Sequence, residues 1–233
     1  MNIVILGAGA VGGYIGGRLE EAGVPVSFLV RERRAEQLRK NGMRINSVHG
    51  DYSTESIPLH TDAEQISECD LVIVTVKGYQ VEGALPQLRT LAAKGAKVLP
   101  FLNGMEHFQL FEEALGKENV LGGLAFIIST LDENGGIVQT SKQHDFVFGD
   151  LQGTQEEFCR RLETTLSAAN LNVKNSSDIL RDMWQKYTFI TAFSGITTAS
   201  RLPIGKVRES PETLRLFQKM LEEMKALAAA NEI

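Results

Sequence analysis

The segment Asn2–Gly13 (NIVILGAGAVGG) constrains this chain more than any other. Asn2–Gly7 is a short, continuous apolar run rich in β-branched residues, the pattern of a strand buried on both faces of a parallel sheet. Gly7-Ala8-Gly9-Ala10-Val11-Gly12-Gly13 follows at once. Tyr14–Ala22 then reads as a helix, with Gly23 where a helix C-terminal glycine belongs. Pro25–Val30 is a second strand and Arg31–Asn41 a charged helix, so the chain opens with a β-α-β unit. Its first turn carries Gly7-x-Gly9-x-x-Gly12. Between a strand and a helix, that spacing has a physical meaning. Gly7 permits the tight turn, Gly9 lets the backbone approach a pyrophosphate, and Gly12 allows close helix–sheet packing. The pyrophosphate then meets free N–H groups at the helix N-terminus. Gly7, Ala8, Gly9, Ala10, Val11 and Gly12 are therefore expected to bind a dinucleotide.

The end of the second strand bears on which dinucleotide. An acidic residue about 20 positions on from the glycines favours NAD through the ribose 2′-hydroxyl, and a basic one favours NADP through the 2′-phosphate. Val30 is followed by Arg31-Glu32-Arg33-Arg34. Arg31 is the first residue past the strand, and a guanidinium pairs phosphate with forked geometry. The expected cofactor is NADP(H), held by Arg31. If the register slips by one, Glu32 becomes the ribose ligand and the site prefers NAD.

Downstream, Gly42–Thr61 suggests a hairpin or irregular insertion, and Asp70–Val76 a third core strand. Tyr79–Lys94 has helical periodicity, Ala96–Leu102 is a fourth strand and Glu106–Leu115 a helix. Val120–Ser129, Gly136–Ser141 and Asp145–Phe148 read as strands, with a turn at Asp132–Gly136. Gln155–Ala169 is helical and Asn172–Asn175 a last strand; beyond Ser176 the pattern is helical, over Asp178–Thr198 and Pro211–Asn231. This predicts an α/β chain, a Rossmann-type doubly wound sheet followed by a smaller all-helical domain. The expected domains are residues 1–172 and 173–233.

The formal net charge of -5 argues against general binding to nucleic acid or an anionic membrane. No apolar segment approaches the roughly 20 residues of a membrane helix, and the apolar N-terminal run has no basic segment before it. Cys69 and Cys159 lie far apart, as expected of reduced thiols in a cytoplasmic protein. His49, His60, His107 and His144 have no metal-ligand spacing and read as surface or loop residues, so no metal is expected.

Three more segments complete a pattern. The third strand ends Thr75-Val76-Lys77-Gly78-Tyr79-Gln80, the fourth Leu102-Asn103-Gly104-Met105, and the helical part holds Met183-Trp184-Gln185-Lys186-Tyr187. With the glycine loop and Arg31, this ordered set resembles the ketopantoate reductase family along essentially the whole chain. The resemblance implies an NADPH-dependent enzyme that reduces a 2-oxo acid to a 2-hydroxy acid, 2-dehydropantoate to (R)-pantoate in pantothenate and coenzyme A biosynthesis. It matches Arg31 to the arginine that reads the 2′-phosphate and Lys77 to a lysine at the cofactor edge. Asn103 matches an asparagine near both nicotinamide and substrate, and Lys186 a catalytic lysine that binds the keto acid. A homodimer through the helical domain is also implied.

The chemistry suits these residue types. Ketone reduction needs a hydride at carbon and a proton at oxygen, and a cleft lysine whose pKa is lowered by burial can supply the proton and stabilise an alkoxide. Two departures stand out. Pantoate-forming members carry asparagines four and eight residues after the lysine, where this chain has Ile190 and Ser194. Ser194 is then the expected substrate contact of the two. Family members also continue past the equivalent of Ile233 with helices that carry a serine and a glutamate of the substrate site, so the helical domain is expected to be C-terminally incomplete. Two alternatives follow: a relative acting on another 2-oxo acid, or an NADP(H)-binding sensor without turnover. A third is an NAD-preferring dehydrogenase that uses Glu32.

Overall fold

A computed structural model describes residues 1–233. Five short strands, β1 (Ile3–Leu6), β2 (Val26–Leu29), β5 (Leu59–His60), β6 (Leu71–Val74) and β7 (Lys97–Pro100), form an all-parallel sheet in the order β5-β2-β1-β6-β7. Ile5 stands opposite Phe28 on one side and Ile73 on the other, and Ile73 opposite Leu99, all four buried. The strand order reverses direction at β1. Helices α1 (Ala10–Glu21), α2 (Glu32–Asn41), α3 (Val81–Ala93) and α4 (Glu106–Leu115) follow β1, β2, β6 and β7.

The first unit holds this doubly wound sheet and one more. A second, mixed sheet contains β3 (Met43–Ser47), β4 (Tyr52–Thr54), β8 (Gly122–Leu131), β9 (Ile137–Gly149) and β10 (Asn172–Asn175). β8 and β9 are antiparallel neighbours joined by a five-residue turn, a direct reversal that can never make two strands parallel. The Gly42–Thr61 stretch is split between the sheets: β3 and β4 pair antiparallel, while β5 lies parallel to β2. The two strands expected over Gly136–Ser141 and Asp145–Phe148 are one strand, β9. Its register against β8 shifts between Ile127 and Ser129, opposite the polar run Thr140–Gln143, and the Ser141 hydroxyl accepts from Ile128 N at 2.9 Å there.

Helix α1 joins the sheets. It carries four glycines in two adjacent pairs, Gly12-Gly13 and Gly16-Gly17. A β-carbon on Gly16 would lie 2.6 Å from Phe28 Cε1 and 3.0 Å from Ile5 Cγ1, both in the parallel sheet. One on Gly13 would lie 2.9 Å from Ile137 Cγ1, and one on Gly17 2.5 Å from Ile45 Cδ1, both in the second sheet. Gly12 and Gly16 thus face one sheet, and Gly13 and Gly17 the other. The helix can be this close to both only because it lacks side chains at these four positions. Residues 12–19 are all buried, Arg18 and Tyr14 included.

Compact units divide at Ile179/Leu180. Strand β10 pairs in parallel with β9, so residues 173–179 stay with the sheets rather than with the helices that follow. The second unit contains most of α6 (Ile179–Ser200), a short α7 (Ile204–Glu209) after Pro203, and α8 (Pro211–Ala230). Helix α7 had no periodic signal because it is only six residues long. Gly195 on α6 lies where a β-carbon would overlap Met220 Cε of α8, and Ala192, Ile196 and Val207 are buried. No helix is long and apolar enough to cross a membrane.

The histidines correct the surface reading: His107 and His144 are buried. His144 Nδ1 lies 2.9 Å from the Tyr14 hydroxyl and its ring stacks on His49 at 3.6 Å, so the β-sheet interior satisfies a polar ring.

The glycine spacing of α1 makes a testable prediction. Alanine ordinarily gains up to about 1 kcal/mol over glycine in a helix. At Gly16 the overlap with Phe28 reverses the sign, and Gly16→Ala should destabilise by roughly 1–3 kcal/mol. At Gly83 in α3 an added methyl meets nothing within 4 Å, and Gly83→Ala should stabilise by about 0.5–1 kcal/mol. Urea unfolding of the cofactor-free protein measures both; equal effects would contradict the packing described.

Candidate active site

The carboxyl ends of β1, β2, β6 and β7 lie on one edge of the parallel sheet, and each is followed by a residue of interest: Gly7, Arg31, Thr75 to Lys77, and Asn103. This is the edge on which open α/β sheets bind ligands, beside the strand where the order reverses. A cleft opens here, lined by Gly7, Ala8, Gly9, Arg31, Arg34 and Gln80 among others.

The glycine loop forms its floor. Gly7 has φ +100°, a conformation that needs glycine. Its carbonyl accepts from the Thr75 hydroxyl at 2.7 Å, and its N–H donates to Leu29 O at 3.0 Å, so β6 and β2 fix the turn from both sides. Gly12 lies beneath, where a β-carbon would collide with Gly7 O and Thr75 Oγ1. At Gly9, in contrast, an added β-carbon meets nothing within 4 Å, so the missing side chain opens space rather than packing against protein. Gly9 is also the N-cap of α1, with no side chain capping the helix and no acidic residue in its first turn. The positive end of the helix dipole therefore faces open space and suits an anion. An uncapped helix end, a backbone free of side chains and the flanking Arg31 fit the diphosphate of a dinucleotide. Ala10 and Val11 supply the first turn of α1 behind the loop.

The arginine run separates by role. Arg31 is exposed, N-caps α2 and lines the cleft. Arg33 is exposed and outside the cleft lining. Arg34 lines the cleft but is already engaged: Nε donates to Ala8 O at 2.9 Å, Nη2 to Gly135 O at 3.0 Å and Nη1 to Gln37 Oε1 at 2.6 Å. Glu32 points its carboxylate at Arg39, 2.8 Å away along α2, and is outside the cleft lining. Sequence reasoning missed the roles of Thr75, Gln80, Gln87 and the β8–β9 turn. Gln80 accepts from Lys77 N at 3.0 Å and Gln87 from Ala63 N at 2.6 Å, each with its side-chain oxygen.

Lys77 and Asn103 lie at the same sheet edge as Gly7 and Arg31, outside the residues that line this cleft. Beside Asn103, His107 packs on Phe108 and Phe111, and burial pushes its pKa down to about 4, so this imidazole is neutral at pH 7. In the helical unit, Lys186, Ile190 and Ser194 recur every four residues on α6 and share one helical face. Burial pushes the Lys186 ammonium down to about 8. The structure gathers no group of three His, Cys, Asp or Glu side chains able to hold a metal ion.

Fold and cleft together define a nicotinamide-dinucleotide oxidoreductase with a C-terminal helical unit. More specifically, the chain belongs to the ketopantoate reductase (PanE/ApbA) family: residues 3–153 match the family's N-terminal model and residues 178–233 its C-terminal one. It is 40% identical over 224 residues to an uncharacterized oxidoreductase of Bacillus subtilis, YkpB, which covers 96% of this chain and 73% of that protein. The crystal structure of a 2-dehydropantoate 2-reductase from Geobacter metallireducens superposes with a TM-score of 0.89 at 25% identity, covering 97% of this chain and 74% of the other. A D-mandelate dehydrogenase in ternary complex with NADH and anilino(oxo)acetate shares the fold, with a TM-score of 0.90 at 23% identity over the whole of this chain and 75% of the other.

Burial at Lys186 predicts a titration that can be followed directly. Its side-chain amine should lose its proton with a midpoint near 8 rather than at the ordinary 10.5. Lysine side-chain NMR across pH 6–11, assigned with Lys186→Arg, reads this; a midpoint above 10 would show a solvated ammonium.

Proposed function

We propose that the chain uses NADPH to reduce a 2-oxo acid to the corresponding 2-hydroxy acid. The first candidate is 2-dehydropantoate, which gives (R)-pantoate for pantothenate and coenzyme A synthesis. The observation that carries the cofactor preference is the placement of Arg31 in the cleft wall while Glu32 is held by Arg39 outside it. A forked cation beside the ribose site favours the 2′-phosphate, and no carboxylate competes there for the 2′-hydroxyl.

The division of labour follows from the residues. The bound dinucleotide supplies the hydride. The glycine loop and the N-terminus of α1 hold its diphosphate, and Arg31 holds the 2′-phosphate. Lys77 borders the cofactor at the end of β6. Lys186 binds the acid and, protonated below about pH 8, carries the proton that the ketone oxygen takes up; its charge stabilises the alkoxide as it develops. Asn103 orients the carbonyl by hydrogen bonding. On α6, Ser194 keeps a hydroxyl for the substrate, whereas Ile190 offers only apolar contact.

Ile190 favours a second reading in which the acid carries an apolar substituent. It cannot satisfy a substrate hydroxyl, and burying that hydroxyl unpaired costs affinity. The D-mandelate dehydrogenase named above acts on a 2-hydroxy acid with an aromatic substituent, which suits this reading. The cytoplasm is the compartment proposed, because Cys69 and Cys159 are both free. A homodimer through the helical unit is part of the same reading, supported by Leu216 and Leu227 exposed along α8.

Cofactor titration followed by a panel of 2-oxo acids tests this. NADPH should bind tighter than NADH, and Arg31→Ala should raise the NADPH Kd about tenfold or more while leaving NADH unchanged. Lys186→Ala should lower kcat by about 10²–10⁴. Turnover of 2-dehydropantoate above that of apolar 2-oxo acids supports pantoate formation, and the reverse order supports the second reading. Tight NADPH binding with no turnover of any acid would overturn the proposed substrates and favour a nucleotide-binding sensor or a different substrate.

A further inference from the structure

The turn between β8 and β9 lies more than 120 residues from Ala8 of the glycine loop in sequence, yet one side chain bonds to both. Arg34 Nε donates to Ala8 O, inside the loop, and Nη2 donates to Gly135 O, inside the turn. A third N–H, on Nη1, donates to Gln37 Oε1. The turn is itself closed by internal hydrogen bonds. Asp132 Oδ1 accepts from Asn134 N and Gly136 N at 2.8 Å each, Asp132 N donates to Gly136 O at 2.9 Å, and Gly135 has φ +81°. Helix α2 grips it at two more points: Gln37 Nε2 and Asn41 Nδ2 donate to Asn134 O at 3.1 and 3.2 Å. Leu131, the last residue of β8, lines the cofactor cleft.

With three of its five N–H donors on two carbonyls and an amide oxygen, one from each nitrogen, the guanidinium is held in place by the protein itself and has at most two N–H groups left for a phosphate. It adds a tie at Ala8 to a loop that β6 and β2 hold only at Gly7. We propose that Arg34 is a positioning residue of the cofactor site: it locks the glycine loop against the β8–β9 turn, so that the loop's N–H groups are aligned for the diphosphate, and it does not read the 2′-phosphate. The second sheet thereby becomes part of the cofactor site. This deepens the proposed cofactor reading and rests on it for the contrast with Arg31.

The test uses three probes that differ in which phosphates they carry. NADPH carries diphosphate and 2′-phosphate, NADH only the diphosphate, and adenosine 2′-monophosphate only the 2′-phosphate. Arg34→Ala should raise the Kd of NADPH and NADH by the same factor, about tenfold, and leave adenosine 2′-monophosphate unchanged in competition titrations. Arg31→Ala should weaken NADPH and adenosine 2′-monophosphate and spare NADH. Gly135→Ala perturbs the same lock from the far side, because its methyl would lie 2.5 Å from Arg34 Nη1, and it should repeat the Arg34→Ala pattern. Arg34→Lys, which keeps the charge but can reach only one carbonyl, should recover part of the loss. General destabilisation would weaken all three probes together and overturns the proposal. So does selective loss of NADPH and adenosine 2′-monophosphate in Arg34→Ala, which would make Arg34 the phosphate reader. Unchanged binding in Arg34→Ala and Gly135→Ala overturns it as well. Wild-type protein that binds neither NADPH nor NADH fails the cofactor reading itself, a result distinct from each of these.

Discussion

The close approach of α1 to two sheets at once is the constraint on which the first unit depends. Apolar burial supplies most of a fold's stability, but it is non-directional. What makes this arrangement specific is the four missing side chains of α1. Gly16 admits Phe28 from one sheet, and Gly17 admits Ile45 from the other. The N-terminus of the same helix is the anion-binding end of the cofactor site. Packing and function are thus coupled through one element: whatever moves α1 off either sheet also moves Gly9 and the first-turn N–H groups.

Much of this was legible in the sequence, for identifiable reasons. The strand-turn-helix at Ile3–Glu21 is encoded locally, by an apolar run and a glycine spacing whose meaning does not depend on distant residues. Helix α4 and strand β10 fall on their expected residues for the same reason. The division into two sheets was not legible. A β-branched run such as Val120–Ser129 has the same pattern in either sheet, and only its antiparallel partner decides which one it joins. The turn Asp132–Gly136 was recognised as a turn, but nothing in it announces that Arg34 will bond to it. Long-range hydrogen bonds to backbone carbonyls leave no pattern in the sequence, because every residue has a carbonyl.

The arginine run shows how the sequence can offer three equivalent charges that structure makes unequal. Arg31, Arg33 and Arg34 are near neighbours in sequence. One stands at the N-cap position of α2 in the cleft wall, one is exposed away from it, and one donates to two backbone carbonyls and Gln37. Charge counting alone would assign all three to a phosphate. Glu32, the acidic neighbour, pairs with Arg39 two turns further along the same helix. On α6 the reverse holds: four-residue spacing puts Lys186, Ile190 and Ser194 on one face from sequence alone, and structure adds that burial makes the ammonium a stronger acid than it is in water.

The glycines of α1 also bear on how the chain reaches this state. Four glycines in a twelve-residue helix cost it about 4 kcal/mol of intrinsic helicity relative to alanine. A helix this weak does not persist on its own long enough to nucleate anything. It becomes stable only when β1 and β2 on one side and β3 and β9 on the other are in place to clamp it. The most local motif in the sequence therefore owes its stability to the least local contacts: the helix behind the cofactor loop is held by strands more than a hundred residues apart.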